Sequence, residues 1–125
     1  MGEEQSEETM AMMYRNSGNQ RYQAKDFKGA VDDFTKGIAV YPHHILYSNR
    51  SAAYGALKQY EHALEDAEVV VRLRPDWSKG YSRKAAALQG LQRYPEAVRA
   101  YNEGLDREPD LHARVEPRHT WPLRQ

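Results

Sequence analysis

Residues 47–75 have the sequence YSNRSAAYGALKQYEHALEDAEVVVRLRP, and the same pattern occurs twice more, over residues 14–42 and 81–109. Each copy begins with a tyrosine, ends with a proline, and places aromatic and small residues at matching positions in between. The first tyrosine moves by 33 residues, from 14 to 47, and then by 34, from 47 to 81. Because such a period is typical of stacked helical hairpins, three repeats are predicted. They span residues 11–43, 44–77 and 78–111.

Within each repeat, two apolar stretches with helical spacing are separated by a short polar break. The breaks fall at residues 25–27, 58–60 and 92–94. Asp26 can cap the helix after the first break, and Pro95 suits the first turn of the helix after the third. A proline ends the second helix of each pair, at positions 42, 75 and 109, since proline cannot continue a helix. The pattern therefore predicts six helices, over residues 7–24, 27–40, 45–57, 61–73, 78–91 and 95–107.

The predicted architecture is all-α. Three tandem hairpins stack into a right-handed superhelix, whose concave face is lined by the first helix of each pair. Small residues occupy positions where neighbouring helices must approach closely, at Gly18, Ala30, Ala63, Ala85 and Ala97. Around this repeat domain of residues 7–111, we expect an acidic N-terminal tail over residues 1–6. A short helix start and a disordered tail are expected over residues 112–125.

Composition argues against several classes of protein. The chain has 18 basic and 18 acidic residues, so its net charge does not favour non-specific binding to nucleic acid or to an anionic membrane. No apolar run approaches the roughly 20 residues that span a bilayer. There is no cysteine, and the five histidines include no pair at the spacing of a helical zinc site. Since phosphate-binding loops and nucleophile motifs are also absent, we expect a cytoplasmic protein that is not an enzyme and uses no metal or cofactor.

Basic and acidic residues are sorted between the two sets of helices. Residues 10–24, 42–59 and 77–95, which contain the predicted inner helices, include no acidic residue. The basic residues of these helices are Arg15, Arg21, Arg50, Lys79, Arg83 and Lys84. Because the outer helices carry the acidic residues, the inner surface is predicted to attract an anionic ligand. Chance segregation on solvated faces is the alternative.

Five polar side chains on the inner helices are predicted to converge. Arg15 and Asn19 are four residues apart and share a helical face, as do Lys79 and Arg83, while Asn49 lies on the helix between them. Arginine and lysine supply charge-assisted bonds to carboxylates, and asparagine amides add neutral donors. The set suits a ligand with two closely spaced carboxylates, of which an acidic C-terminal residue is the simplest example.

Two segments, LYSNRSAAY at residues 46–54 and PDWSKGYSRKAAAL at residues 75–88, resemble the first tetratricopeptide repeat (TPR) domain of the Hop/Sti-type co-chaperones. The resemblance implies binding to the C-terminus of heat shock protein 70, or of heat shock protein 90 as in the sister domains. Both tails end in Glu-Glu-Val-Asp and are held by a dicarboxylate clamp. By this resemblance, the clamp of the present chain consists of Arg15, Asn19, Asn49, Lys79 and Arg83.

Two features depart from the family pattern: Arg15 stands where lysine is usual, and the linker over residues 42–45 is one residue shorter. The preference between heat shock proteins 70 and 90 stays open, because apolar pockets that the sequence does not locate decide it. The alternative function is an assembly scaffold that binds an internal segment or a folded partner. Three possibilities stay open for the last hairpin: it exposes an apolar strip, it associates weakly with another copy, or it continues into a longer protein. Trp121 is either part of a disordered end or a plug for that strip.

Overall fold

A computed structural model of the chain describes residues 3–108, and the side chains from residue 6 onward. This range forms α1 (Glu3–Gln23), α2 (Phe27–Val40), α3 (His44–Ala56), α4 (Tyr60–Leu73), α5 (Ser78–Gly90) and α6 (Tyr94–Asp106). No strand occurs among residues 3–108. A turn of three residues joins the two helices of each pair. The prediction of an all-α fold built from three helical hairpins is therefore confirmed.

The first helix is longer than predicted. It begins at Glu3 instead of residue 7, so residues 3–6 are helical although the sequence suggested an acidic tail there. Glutamate and glutamine favour helices, and acidic side chains near a helix N-terminus interact favourably with the helix dipole. The other five helices begin within one residue of the prediction. The expectations for residues 112–125, including the role of Trp121, lie outside the described residues.

The turn inside each hairpin contains one residue in the left-handed conformation. These residues are Lys25, Lys58 and Gln92, with φ of 68°, 62° and 63°. In the middle turn the amides of Lys58 and Gln59 donate to two carbonyls near the end of α3, both at 2.9 Å. The other two turns form the same pair of bonds. These hydrogen bonds satisfy the last carbonyls of each inner helix. Helix ends of this type usually contain a glycine, but none of these three turns has one.

Side chains at the helix starts explain where α2, α3 and α6 begin. Asp26 Oδ1 accepts a hydrogen bond from the Gly29 amide at 3.0 Å, which confirms the predicted cap of α2. Pro95 lies in the first turn of α6, also as predicted. For α3 the cap is a histidine: His43 Nδ1 accepts from the Ile45 amide at 3.2 Å. This bond places the start of α3 at His44, one residue earlier than the sequence indicated.

The core lies between the two layers of helices, and small residues allow their close approach. Ala30, Ala63, Ala85 and Ala97 are at most 2 % exposed. A Cβ added to Gly18 would clash with the ring of Phe34, the largest fully buried side chain of the described range. Among the first helices, α3 contacts both α1 and α5, whereas the second helices α2, α4 and α6 do not contact one another. The first helices therefore form the inner layer of the stack.

Candidate carboxylate-binding groove

The centre of the inner layer holds three of the five predicted clamp residues. Asn49 Nδ2 on α3 donates to Asn19 Oδ1 on α1 at 3.0 Å, so the two amides hold each other in place. Together with Arg83 of α5 they line a pocket of about 200 Å³. The walls of this pocket include Tyr22 and Ala52. Residues from three helices thus meet at one concave spot, as the sequence predicted for Asn19, Asn49 and Arg83.

Hydrogen bonds to the neighbouring helix α3 hold the side chain of Arg83 in place. Its Nε donates to the carbonyl oxygen and to the hydroxyl of Ser48 on α3, at 3.1 and 3.2 Å. Ser48 is fully buried, so these bonds tie the guanidinium to the core. Burial lowers the pKa of Arg83 below its usual value, although the group stays charged at neutral pH because arginine titrates far above 7. Within residues 6–108 no carboxylate forms an ion pair with it.

Lys79 lies next to this pocket, one turn before Arg83 on α5. Its side chain is exposed, and its Nζ lies 6.0 Å from the centroid of the Trp77 ring. Lys79 and Arg83 both line a second pocket of about 320 Å³, between α5 and α6, with Tyr101 and Leu105 in its wall. Arg83 therefore faces both pockets and connects them.

Arg15 lies on α1 one turn before Asn19 and lines neither of these two pockets. Its Nη2 donates to Asn16 Oδ1 at 3.3 Å. Its Nε is buried and has no hydrogen-bond partner among the described residues. A buried donor without a partner costs free energy, and a ligand acceptor would remove that cost. The structure thus places Arg15 on the inner layer but outside the two pockets that the other four residues line.

The remaining basic residues of the inner helices face outward, contrary to the expectation that all six line the groove. Arg21 Nε pairs with Asp33 of α2 at 3.0 Å, and Arg50 pairs with Asp66 of α4 at 2.8 Å. These carboxylates are only 8 % and 4 % exposed, so each needs a cation beside it. Lys84 lies in a surface groove with Glu68, Glu96 and Glu103. Arg15, Lys79 and Arg83 of the inner helices have no carboxylate partner within residues 6–108.

Two further residues of the groove were not found from the sequence. Ser48 anchors Arg83, but no motif distinguishes this serine from its neighbours. Tyr22 lines the central pocket. It also lines a mainly apolar hollow of about 260 Å³, together with Ala52 and Gly55 of α3. Its ring meets Phe27 edge-on, with centroids 5.1 Å apart.

The described residues add two findings on other kinds of site. Among residues 3–108, no three side chains of the metal-binding types come together. In the same range no helix combines the length and the apolar character that crossing a bilayer requires.

Three stacked hairpins, with unpaired basic residues on the inner layer of the described range, define an α-helical repeat protein. The chain is 50 % identical over 97 residues to the heat shock protein sti1 homolog of Schizosaccharomyces pombe, covering 77 % of this chain and 16 % of that protein. It is 32 % identical to the first TPR of Spaghetti (RPAP3) bound to the HSP90 peptide SRMEEVD, with TM-score 0.81 and coverage of 93 % and 89 %. The chain belongs to the tetratricopeptide repeat family.

The second TPR domain of human RPAP3, solved with the HSP70 peptide SGPTIEEVD, is also similar. It is 27 % identical with TM-score 0.79, and the match covers 82 % of this chain and 87 % of that domain. A scan against models of protein families gives no match. The chain spans less than a fifth of the length of the sti1-type relatives that it matches.

Proposed function

We propose that this chain is a co-chaperone-type interaction module. It binds the acidic C-terminal tail Glu-Glu-Val-Asp of heat shock protein 70 or heat shock protein 90. The clamp consists of Arg15, Asn19, Asn49, Lys79 and Arg83. The module works in the cytoplasm by binding alone, without catalysis, metal or cofactor.

The observation that carries this proposal is the different pairing of the basic residues. Arg21 and Arg50 have carboxylate partners on the outer helices, whereas Arg15, Lys79 and Arg83 have none within residues 6–108. A partly buried guanidinium without a counter-charge is costly, since burial removes its hydration. A ligand that brings two carboxylates to Lys79 and Arg83 supplies the missing counter-charge.

The asparagines suit the same ligand. Asn19 uses its oxygen to accept from Asn49, so the amide nitrogen of Asn19 stays available as a donor. Asn49 keeps a second N–H in the same pocket. Neutral donors of this kind orient a carboxylate group that the cations attract.

The solved relatives support the nature of the ligand. The two RPAP3 domains described above carry peptides from HSP90 and HSP70 that end in the same four residues, Glu-Glu-Val-Asp. Such a tail ends in two carboxylates, one from the aspartate side chain and one from the chain terminus. This spacing matches the pair Lys79 and Arg83, which are one helical turn apart.

A single comparison tests the proposal. A peptide with a free C-terminal Glu-Glu-Val-Asp should bind in calorimetry, whereas the same peptide with a C-terminal amide should bind far more weakly. An RNA oligomer of equal charge should not bind. Equal affinity for the free acid and the amide would contradict the clamp.

That outcome would favour the second candidate, an assembly scaffold that ignores chain ends. The hollow beside Tyr22 and Gly55 favours this candidate, because its walls are mainly aromatic and aliphatic and offer contact area to an apolar segment, with Arg83 at one side. A scaffold would bind a peptide through an internal apolar segment equally well whether the C-terminus of the peptide is a free acid or an amide.

A further inference from the structure

Four aromatic rings form a continuous row across two turns between repeats. Tyr41 stacks on His43 with centroids 6.3 Å apart, and His43 stacks on His44 at 4.4 Å. The ring of His44 meets Trp77 edge-on at 5.0 Å. Trp77 directly precedes α5, so the row connects the turn before α3 to the turn before α5.

A ring nitrogen of each histidine in this row lies beside a hydrogen-bond donor, an arrangement that suits a neutral ring. His43 Nδ1 accepts from the Ile45 amide at 3.2 Å and thereby caps α3. His44 Nε2 lies 3.5 Å from Nη1 of Arg74, a group that can only donate. A protonated imidazole has donors on both nitrogens and cannot accept either bond. Protonation of the pair therefore removes the cap and the Arg74 contact together.

The charges around the pair mostly oppose protonation. His43 faces Glu8 and Arg15 of α1 and also Arg74, while His44 faces Arg74 and Asp76 in the turn before α5. Each ring also faces the other, so two charged imidazoles would repel across 4.4 Å. A positive charge at the start of α3 is unfavourable with the helix dipole as well. Only Glu8 and Asp76 favour the charged forms.

We propose that His43 and His44 form a proton-sensitive latch, which holds the start of α3 when both rings are neutral and releases it when they are protonated. The helix that begins there carries Ser48, whose carbonyl and hydroxyl anchor Arg83. Loss of order at the start of α3 thus extends toward the groove. The latch is a property of the fold and does not depend on the ligand proposed above.

The sign of the pH dependence follows from the direction of the shifts. Burial lowers the pKa of both histidines below the usual value of 6.5. Between the unfolded and folded pKa values, the unfolded chain binds more protons than the folded one. The stabilisation is therefore complete above about pH 6.5 and is lost as the pH falls through the folded pKa values.

Amide exchange of Ile45 and Leu46, measured by NMR on the full chain at pH 7.5 and pH 5, tests the latch. After correction for intrinsic exchange, we expect protection at pH 5 to fall about fivefold, the loss typical of an N-cap. His43→Asn keeps a good cap that does not titrate, so its protection should stay constant. His43→Ser is a second variant of the same kind. His62→Asn, at an exposed histidine outside the row, is the control and should behave like the parent.

Two results would overturn the latch. In the first, the His43 ring titrates above pH 5 while Ile45 and Leu46 stay fully protected. In the second, His43→Asn and His43→Ser lose as much protection as the parent. A chain that binds no Glu-Glu-Val-Asp peptide but shows the expected exchange would contradict the proposed function and leave the latch intact.

Discussion

Arg83 donates from Nε to the carbonyl oxygen of Ser48 at 3.1 Å, which connects α5 to α3 beneath the groove. Because Nε is engaged with the core, the two terminal nitrogens of the guanidinium remain for a ligand. The donors of lysine all lie on one nitrogen, so lysine cannot spread its contacts over both sides of the site as the planar guanidinium does. Arg83 thus holds the inner helices together, and under the proposed function it also binds the ligand.

The first prediction concerns the cations of the clamp. Arg83→Ala and Lys79→Ala should each weaken binding of the Glu-Glu-Val-Asp peptide by about 2–5 kcal/mol, since a carboxylate loses its charged partner. This loss is on the order of 30-fold or more in affinity. Calorimetry in low and moderate salt measures it, and binding of the parent should also weaken as salt screens the attraction.

The matched control is Lys36→Ala, at an exposed lysine on the outer helix α2, which should bind like the parent. If Arg83→Ala retains the affinity of the parent while Lys36→Ala loses it, the clamp is misplaced. Arg83→Lys separates the two roles, because it keeps the charge and loses the bond to Ser48.

The second prediction concerns the two asparagines. Asn19→Ala and Asn49→Ala should each cost about 1–2 kcal/mol of binding free energy, less than the cations, because neutral donors contribute less. Since the two amides hydrogen-bond to each other, either substitution also releases its partner. The double variant should therefore lose less than the sum of the single losses in a double-mutant cycle. Strict additivity would show that the Asn19–Asn49 bond does not organise the site.

The third prediction separates the basic residues of the fold from those of the groove. Arg50 pairs through two nitrogens with Asp66, which is 4 % exposed. Its guanidinium carbon lies 5.7 and 5.6 Å from the ring centroids of Tyr47 and Tyr54. Arg50→Ala leaves a buried carboxylate without a partner and should lower the free energy of unfolding by about 3–5 kcal/mol. Urea denaturation followed by circular dichroism measures this loss.

Asp66→Asn in the Arg50→Ala background is the control, because it removes the unpaired charge and should recover part of the stability. If Arg50→Ala unfolds like the parent but loses peptide affinity, then Arg50 belongs to the groove and the division of cations made above is wrong.

The periodicity of the sequence was sufficient to predict the six helices and the layer that each helix occupies. The sequence also placed Asn19 and Asn49 on the first helices of their repeats, and in the structure the two side chains meet across α1 and α3. It did not show that Arg21 and Arg50 turn away from the groove, because that depends on buried carboxylates contributed by the neighbouring outer helix. Charge counted along a helix does not distinguish its inner edge from its outer edge.

The contact that anchors Arg83 could not be predicted from the sequence either. Its partner atom is partly a backbone carbonyl, that of Ser48, which carries no residue signature. The left-handed turns at Lys25, Lys58 and Gln92 were missed because lysine and glutamine rarely adopt that conformation. The anchor of Arg83 depends on a contact between two helices, whereas the left-handed turns are held by backbone bonds to the end of the preceding helix.

The last prediction compares two glycines that occupy inner helices for different reasons. A Cβ built on Gly55 meets nothing within 4 Å, and no glycine of the described range has positive φ. Gly55→Ala should therefore raise the free energy of unfolding by about 0.5–1 kcal/mol, because alanine favours the helix and restricts the unfolded chain. A Cβ on Gly90 instead clashes with the ring of Tyr60, so Gly90→Ala should destabilise the fold. Thermal unfolding of the two variants beside the parent measures both effects. A lower unfolding midpoint for Gly55→Ala would contradict the open space at Gly55, and an unchanged midpoint for Gly90→Ala would contradict the close contact between Gly90 and Tyr60.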